Sequence, residues 1–310
     1  MRSRLALLCP GQGAQGPAMF DMARADPHAA GLVEGWLEGA GLDAPLAGIL
    51  ADGQRLYANR YAQPLIVAAT LATWTALAQD TPQPAIVAGY SIGELAAHGV
   101  AGALPAADAV ALAARRARLM DACLENTPRQ ALVALSGLGN AALEEIARPF
   151  GFQLAIETGE DSLIAGGPAD RREGLADAVG AAGGRASVLP VEVASHTRFM
   201  AGAVAPFRAL LEAGPFAAPQ VPVVSGISAE PIQDRLKAID HLARQLAEPV
   251  RWKDGMDALL ETGVTVALEL GPGASLTRML QARHPAIACR SVADFRSLDG
   301  VRRWLQRHVE

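Results

Sequence analysis

Three observations on the sequence predict an α/β fold. Short apolar runs alternate with segments of helical period along the chain. Hydrophobic residues fill 51 % of the 310 positions and charged residues only 19 %, a composition that supports a sizeable core and argues against disorder. A central stretch, residues 129–193, reads strand–helix–strand–strand–helix–strand, the ferredoxin-like βαββαβ order. The expected organisation is therefore a larger α/β body, 1–128 and 194–310, interrupted by a small insert at 129–193.

In chain order, the apolar run LALLC (5–9) reads as a buried first strand. It follows two arginines in the manner of a signal peptide, but is shorter than the ~7–15 residues an apolar signal core needs. CPGQGAQG (9–16) lacks the Lys-Ser/Thr ending of a phosphate loop and has no acidic residue at dinucleotide-fold spacing. It reads instead as a backbone-lined wall with Gln12 offering an N–H. YAQPLIVAATLATWTALAQ (61–79) is uncharged, yet Gln63, Pro64 and three threonines favour a buried helix over a membrane span. AIVA (85–88) is a strand, and helices follow at 91–101 and 106–125.

Within the insert, ALVALSG is a strand and NAALEEIARPF a helix with Asn140 placed to cap it. FQLAIE and SLIAGG are strands joined by the turn-prone TGED. PADRREGLADAVGAAGG is a helix opening on proline and closing on glycines, and RASVLPVEV is the last strand. Beyond it come a helix at 197–213, strands at 221–225 and 264–270, and a helix at 274–283.

The stretch GYSIGELAA (89–97) holds Ser91 in G-x-S-x-G, between an apolar strand and a helix. That context exposes a serine Oγ at the edge of a sheet, and side chains at 89 or 93 would collide where strand and helix nearly touch. Free N–H groups at the helix start would hold a developing oxyanion. Ser91 reads as a nucleophile, the alternative being a helix-capping serine without chemistry.

A serine nucleophile needs a base. His98 lies seven residues further along the same helix, about 10 Å away along its axis, and is read as structural. His28, His241, His284 and His308 fall in polar or terminal surroundings and are read as solvated. His196, in VEVASHTRFMAG, stands where the chain leaves the insert and a helix begins. A helix N-terminus would keep its imidazole neutral, as a base requires. The bland reading is a satisfied histidine at a junction. No acidic third member of a triad presents itself.

On a wheel of about 100° per residue, the helix DAVALAARRARLMDACLE places Arg116 inside the apolar arc, between Leu112 and Met120. Arg115, Arg118, Asp121 and Glu125 fall on the polar side. A buried guanidinium is costly without an anion. Two readings stand: a structural pairing with an internal carboxylate, or a bidentate clamp for a substrate carboxylate.

A net charge of −5 without a basic run or aromatic-interleaved patch argues against nucleic acid. Cys9, Cys123 and Cys289 are scattered without a C-x-x-C pair, which fits a reducing cytoplasm and neither a disulfide framework nor a metal site.

Taken together these residues resemble the malonyl-CoA:acyl-carrier-protein transacylase family, over essentially the whole chain. The resemblance rests on PGQGAQ (10–15), AQPLIVAA (62–69), GYSIGELAA (89–97), the arginine-bearing helix at 115–120, ASH (194–196), RQLAEPVRW (244–252) and LELGPGASLT (268–277). It implies an α/β-hydrolase-like body with a parallel sheet and a ferredoxin-like insert. It implies Ser91 as the acylated nucleophile, His196 as base, and Gln12 and Ile92 as oxyanion-hole N–H donors. Gln245 matches the residue whose main-chain carbonyl orients the histidine, and Arg116 the carboxylate clamp. Malonyl-CoA would be the substrate and the prosthetic-group thiol of an acyl carrier protein the acceptor, with no bound cofactor, metal or membrane. Carrier docking would use local arginines such as Arg171, Arg172, Arg198, Arg302, Arg303 and Arg307, or these are ordinary surface charge. Tyr90 stands where the family usually has histidine, other residues replace an asparagine around Glu157–Thr158, and SGIS replaces SNV. Tyr90 and the C-terminal SVADFRSLDGVRRWL resemble the branch serving malonate decarboxylase (its epsilon subunit), whose acceptor is that complex's carrier subunit. The rival classes are a serine thioesterase or hydrolase, and a non-catalytic carrier-binding subunit.

Overall fold

The computed structural model describes residues 4–125 and 127–309. The first apolar run forms β1 (Leu5–Cys9), all five residues buried, and the run before the serine forms β2 (Ile86–Gly89). The insert contributes β3 (Gln130–Ser136), β4 (Gln153–Glu157), β5 (Ser162–Pro168) and β6 (Arg185–Val188). Short strands β7 (Val223–Val224), β8 (Pro231–Ile232) and β9 (Val250–Arg251) follow, then β10 (Val266–Glu269) and β11 (Ala288–Ser291).

Two sheets result. The first has the order β11-β10-β1-β2-β7-β8, parallel except at β8, which pairs antiparallel with β7. Its central strands are buried throughout, and apolar but for Glu269 at the end of β10, because helices cover both faces. The helix Asn59–Leu77 is one of these, buried along nearly its whole length. Among the described residues no helix is long and apolar enough to cross a membrane. The register sets Cys9 beside Gly89, so the loop after β1 and the turn after β2 leave the sheet side by side at the carboxyl ends of the strands. In open α/β sheets this end carries the ligand sites.

The second sheet has the order β6-β3-β5-β4-β9. The β3–β5, β3–β6 and β4–β5 pairs are antiparallel, which is the ferredoxin-like arrangement, and Leu143, Phe152, Leu163, Leu175 and Val179 form a separate core beneath it. Strand β9, from beyond the insert, adds in parallel beside β4 at Ile156 and Glu157. A two-residue strand carries no periodicity, so its pairing is invisible in the sequence.

Several local expectations are corrected. Asn140 does not cap its helix; Gly139 occupies the N-cap, and the Asn140 amide donates to Gly159 O (2.8 Å) and Glu157 Oε1 (3.2 Å), bracing the β4–β5 turn. Pro168 ends β5 instead of opening a helix, and the helix itself begins at Arg172 after one 3₁₀ turn. The last strand of the insert stops at Val188, freeing Leu189 and Val191 to line a cavity. His284 bonds Asp257 and His241 Nδ1 lies 2.9 Å from Ser225 Oγ, so neither is simply solvated.

Candidate active site

The turn after β2 is compressed from both sides. Tyr90 N donates to Cys9 O (3.0 Å), Gly93 N to Tyr90 O (2.9 Å) and Glu94 N to Ser91 O (3.0 Å), so the helix Gly93–Val100 starts almost immediately. A Cβ on Gly89 would lie 2.3 Å from the backbone of Gly93 and Glu94, and one on Gly93 would lie 2.1 Å from Cys9 O. Only glycine fits either place. Between them Ser91 is held at φ +55°, a left-handed backbone that a non-glycine residue adopts at a cost, as at a nucleophile elbow.

His196 also has a left-handed backbone (φ +63°). Its N–H donates to Leu246 O (2.8 Å), seating the ring against the segment after the helix Arg235–Arg244. Nε2 lies 2.7 Å from Ser91 Oγ, and Nδ1 lies 2.5 Å from the Gln245 main-chain oxygen. A carbonyl oxygen only accepts, so the proton sits on Nδ1 and Nε2 is free to accept from the serine. Burial first, then the neighbouring Arg116, depress the histidine to about 3. Both causes keep the ring neutral, and the chain turns helical just beyond it, with Thr197 capping Arg198–Met200.

Ser91 opens onto a cavity of about 420 Å³. Gln12, Tyr90 and Met279 border it from the body, and Leu132, Ile156 and Ile164 from the insert. Tyr90 sets its ring edge-on against Trp252, centroids 5.2 Å apart. Among the described residues no backbone oxygen accepts from the N–H of Gln12 or of Ile92, and the Gln12 side-chain nitrogen is buried without a partner. His98 is buried elsewhere, its ring 5.0 Å from that of Phe216, away from the serine.

Arg116 is 1 % exposed and His196 fully buried, and neither is among the residues that line the cavity. Among the described residues it forms no salt bridge. Its Nη1 donates to Gln63 Oε1 (2.7 Å) and to the Met120 sulfur (3.3 Å), its Nη2 to Gln245 Oε1 (3.3 Å), and its Nε has no partner. Burial pulls the guanidinium down to about 10. The internal carboxylate pairing open from the sequence is thus replaced by two neutral amide oxygens and a thioether.

Sequence reasoning passed over three participants. Gln63 entered only as a polar residue in an uncharged helix. Gln245 entered through its carbonyl, although its side chain touches Arg116, Glu94 and the Ser91 carbonyl. Glu94 is 1 % exposed and bonds Gln245 and Gly226, not the histidine. A lone charge in the apolar run GYSIGELAA was the available signal.

A serine–histidine pair at the carboxyl ends of a parallel sheet, with N–H groups left without backbone acceptors beside the serine, suits acyl-group chemistry. The chain belongs to the acyl transferase family, matching the acyl transferase domain over residues 7–295, and is an enzyme. It is 34 % identical over 301 residues to the malonyl CoA-acyl carrier protein transacylase of Mycobacterium bovis, covering 95 % of this chain and 98 % of that protein. The crystal structure of the Mycobacterium tuberculosis MCAT superposes with a TM-score of 0.89 at 31 % identity, over 99 % of this chain and 100 % of that one. A type II PKS acyl-carrier protein in complex with its malonyl-transacylase gives a TM-score of 0.88 at 27 % identity, over 98 % of this chain and 100 % of the matched chain.

Proposed function

We propose that this enzyme moves a malonyl group from malonyl-CoA, through an ester on Ser91, to the prosthetic-group thiol of an acyl carrier protein. The observation that carries the reading is the contact between Ser91 Oγ and His196 Nε2 (2.7 Å), with Nδ1 anchored on a carbonyl and a cation buried behind the pair.

In the first half-reaction His196 takes the Ser91 proton as Oγ attacks the thioester carbonyl, and the oxyanion forms against the N–H groups of Gln12 and Ile92. Collapse expels the CoA sulfur, which takes the proton from His196. In the second half-reaction His196 accepts the proton of the carrier thiol, the sulfur attacks the seryl ester, and Ser91 leaves with that proton. Arg116 holds the distal carboxylate, which would add a charged, bidentate partner to the neutral amide oxygens of Gln63 and Gln245 that position the guanidinium. An acetyl group offers no such partner, which is the basis of selection.

This reading takes 1–128 and 194–310 as the catalytic body and 129–193 as an insert. The separate apolar core of the insert supports the division. The relatives' own names speak of an acyl carrier protein, in one case that of a type II PKS, and so favour an acceptor of the fatty-acid-synthesis kind over the carrier subunit of malonate decarboxylase that Tyr90 and the C-terminal segment suggested.

Intact-protein mass after brief mixing with malonyl-CoA tests the first half. The expected result is one malonyl adduct, absent from Ser91→Ala, with acetyl adducts rising in Arg116→Ala. Chasing the malonyl-enzyme with each holo-carrier then identifies the acceptor. Loss of the adduct to water at the same rate with and without carrier would establish a hydrolase. No adduct from folded protein would leave a carrier-binding subunit.

A further inference from the structure

Arg116 presents five donors in a rigid fork, yet the groups that receive it here are neutral. One of them, the Gln245 side-chain amide, is ambiguous by shape, because its oxygen and nitrogen differ only in hydrogen-bonding sense. Its neighbours remove the ambiguity. The Ser91 carbonyl oxygen, 3.3 Å away, accepts only, and Glu94 Oε2, which meets the same Nε2, is marked as an acceptor by the Gly226 N–H it also receives. With the nitrogen drawn to those two acceptors, Oε1 must face the guanidinium, where it receives Nη2 at 3.3 Å.

Glu94 is in turn held. Gly226 N donates to its Oε2 at 3.0 Å, and a Cβ on Gly226 would come within 2.7 Å of that oxygen, so a glycine leaves the room the carboxylate occupies. Burial pushes Glu94 up to about 7, while the bonds from Gly226 and Gln245 and the charge of Arg116 pull the other way. The catalytic cycle proposed above gives this buried acid no proton to move and no atom to touch. Its geometry gives it a different task. Were position 94 able to donate, the Gln245 amide could turn over and set its N–H₂ against the Arg116 N–H groups, donor against donor.

We propose that Glu94 and the Gln245 side chain form a positioning pair that seats Arg116 and thereby sets the preference for acyl groups carrying a distal carboxylate. The proposal rests on the transacylase reading. Gln245 spans both halves of the site: its carbonyl orients His196, and its side chain orients Arg116. The two duties are separable, because the carbonyl survives any side-chain substitution.

The experiment compares single-turnover acylation of Ser91 by malonyl-CoA and by acetyl-CoA in wild type, Glu94→Gln, Gln245→Met and the double variant. Glu94→Gln keeps the shape and removes the charge, so folding is retained even where Gln245→Met weakens it. The malonyl-to-acetyl ratio is the readout, since damage to Ser91 or His196 lowers both rates and leaves the ratio alone. The expected result is a fall in the ratio of about tenfold in each single variant. That is about 1.4 kcal/mol, the scale of one hydrogen bond to a charged group. The double variant should fall no further than the worse single one, as befits one unit. An unchanged ratio, or losses that multiply in the double variant, would overturn the proposal. Failure of the wild type to acylate at all would instead count against the transacylase reading.

Discussion

Replacing Gly93 by alanine adds a single methyl group where the chain has no space for it. The new Cβ would stand 2.1 Å from Cys9 O, 2.6 Å from Pro10 O and 2.8 Å from Cys9 C. Ordinary contacts of this kind begin near 3.4 Å, so strand and helix must part by roughly 1 Å. The colliding atoms are backbone at the end of a central strand and cannot rotate aside, which puts the cost at the upper end of overpacking, about 3 kcal/mol. Equilibrium urea unfolding should lose about 1 M in midpoint at a slope near 3 kcal/mol/M. Gly16→Ala is the control: nothing lies within 4 Å of its Cβ, and its stability should match wild type to within about 1 kcal/mol. Because Ser91 rides on the same turn, a displacement near 1 Å should also slow malonylation about a hundredfold. A Gly93→Ala protein within about 1 kcal/mol of wild type, or one that acylates at the wild-type rate, would refute the claim that this crossing holds the serine in place.

The depressed histidine makes a pH prediction. An ordinary imidazole would be about 97 % protonated at pH 5 and would cost acetylation of Ser91 about thirtyfold relative to pH 8. With His196 near 3, the rate should hold down to pH 5, and an inflexion at the ordinary histidine value would count against the buried, neutral base. The linkage has a definite sign: a depressed base contributes stability that is present above its unfolded value and lost as pH falls towards the folded one. Arg116→Met removes the second cause of the depression, so the His196 ring signal in proton NMR should titrate at higher pH than in wild type. Tyr90→Phe keeps the edge contact with Trp252 and should change stability by less than about 1 kcal/mol, whereas Tyr90→Ala, at a half-buried position, should cost about 2 kcal/mol in thermal or urea unfolding. Asp257 is held low by its bond from Arg283 first. That support is present above the unfolded carboxylate value and disappears as pH falls through the folded one, so Asp257→Asn should weaken the protein at neutral pH and flatten the onset of acid unfolding.

The parts legible in the sequence were those with a period or a local steric reason. The strand before Ser91, its flanking glycines and the burial of Arg116 follow from apolar runs, turn sterics and a helical wheel, and each involves residues close in the chain. Gln245 is 154 residues from the Ser91 carbonyl it touches and 129 from Arg116, and no pattern within its own segment announces either contact. Strand β9 was missed for the same reason, and Asn140 was misassigned because a cap and a turn brace demand the same side chain. What the assembled site adds is an electrostatic economy that no single segment contains. A carboxylate behind His196 would stabilise imidazolium, while the carbonyl found there fixes the tautomer without adding charge. Arg116 then makes protonation of the ring harder still. On the proposed reading, a malonyl carboxylate arriving at Arg116 would cancel that repulsion, so the base would gain strength when the carboxylated acyl group is in place. Selection and activation would then pass through the same guanidinium, and the acid that a serine site ordinarily places behind its histidine would be supplied, one residue removed, by the substrate.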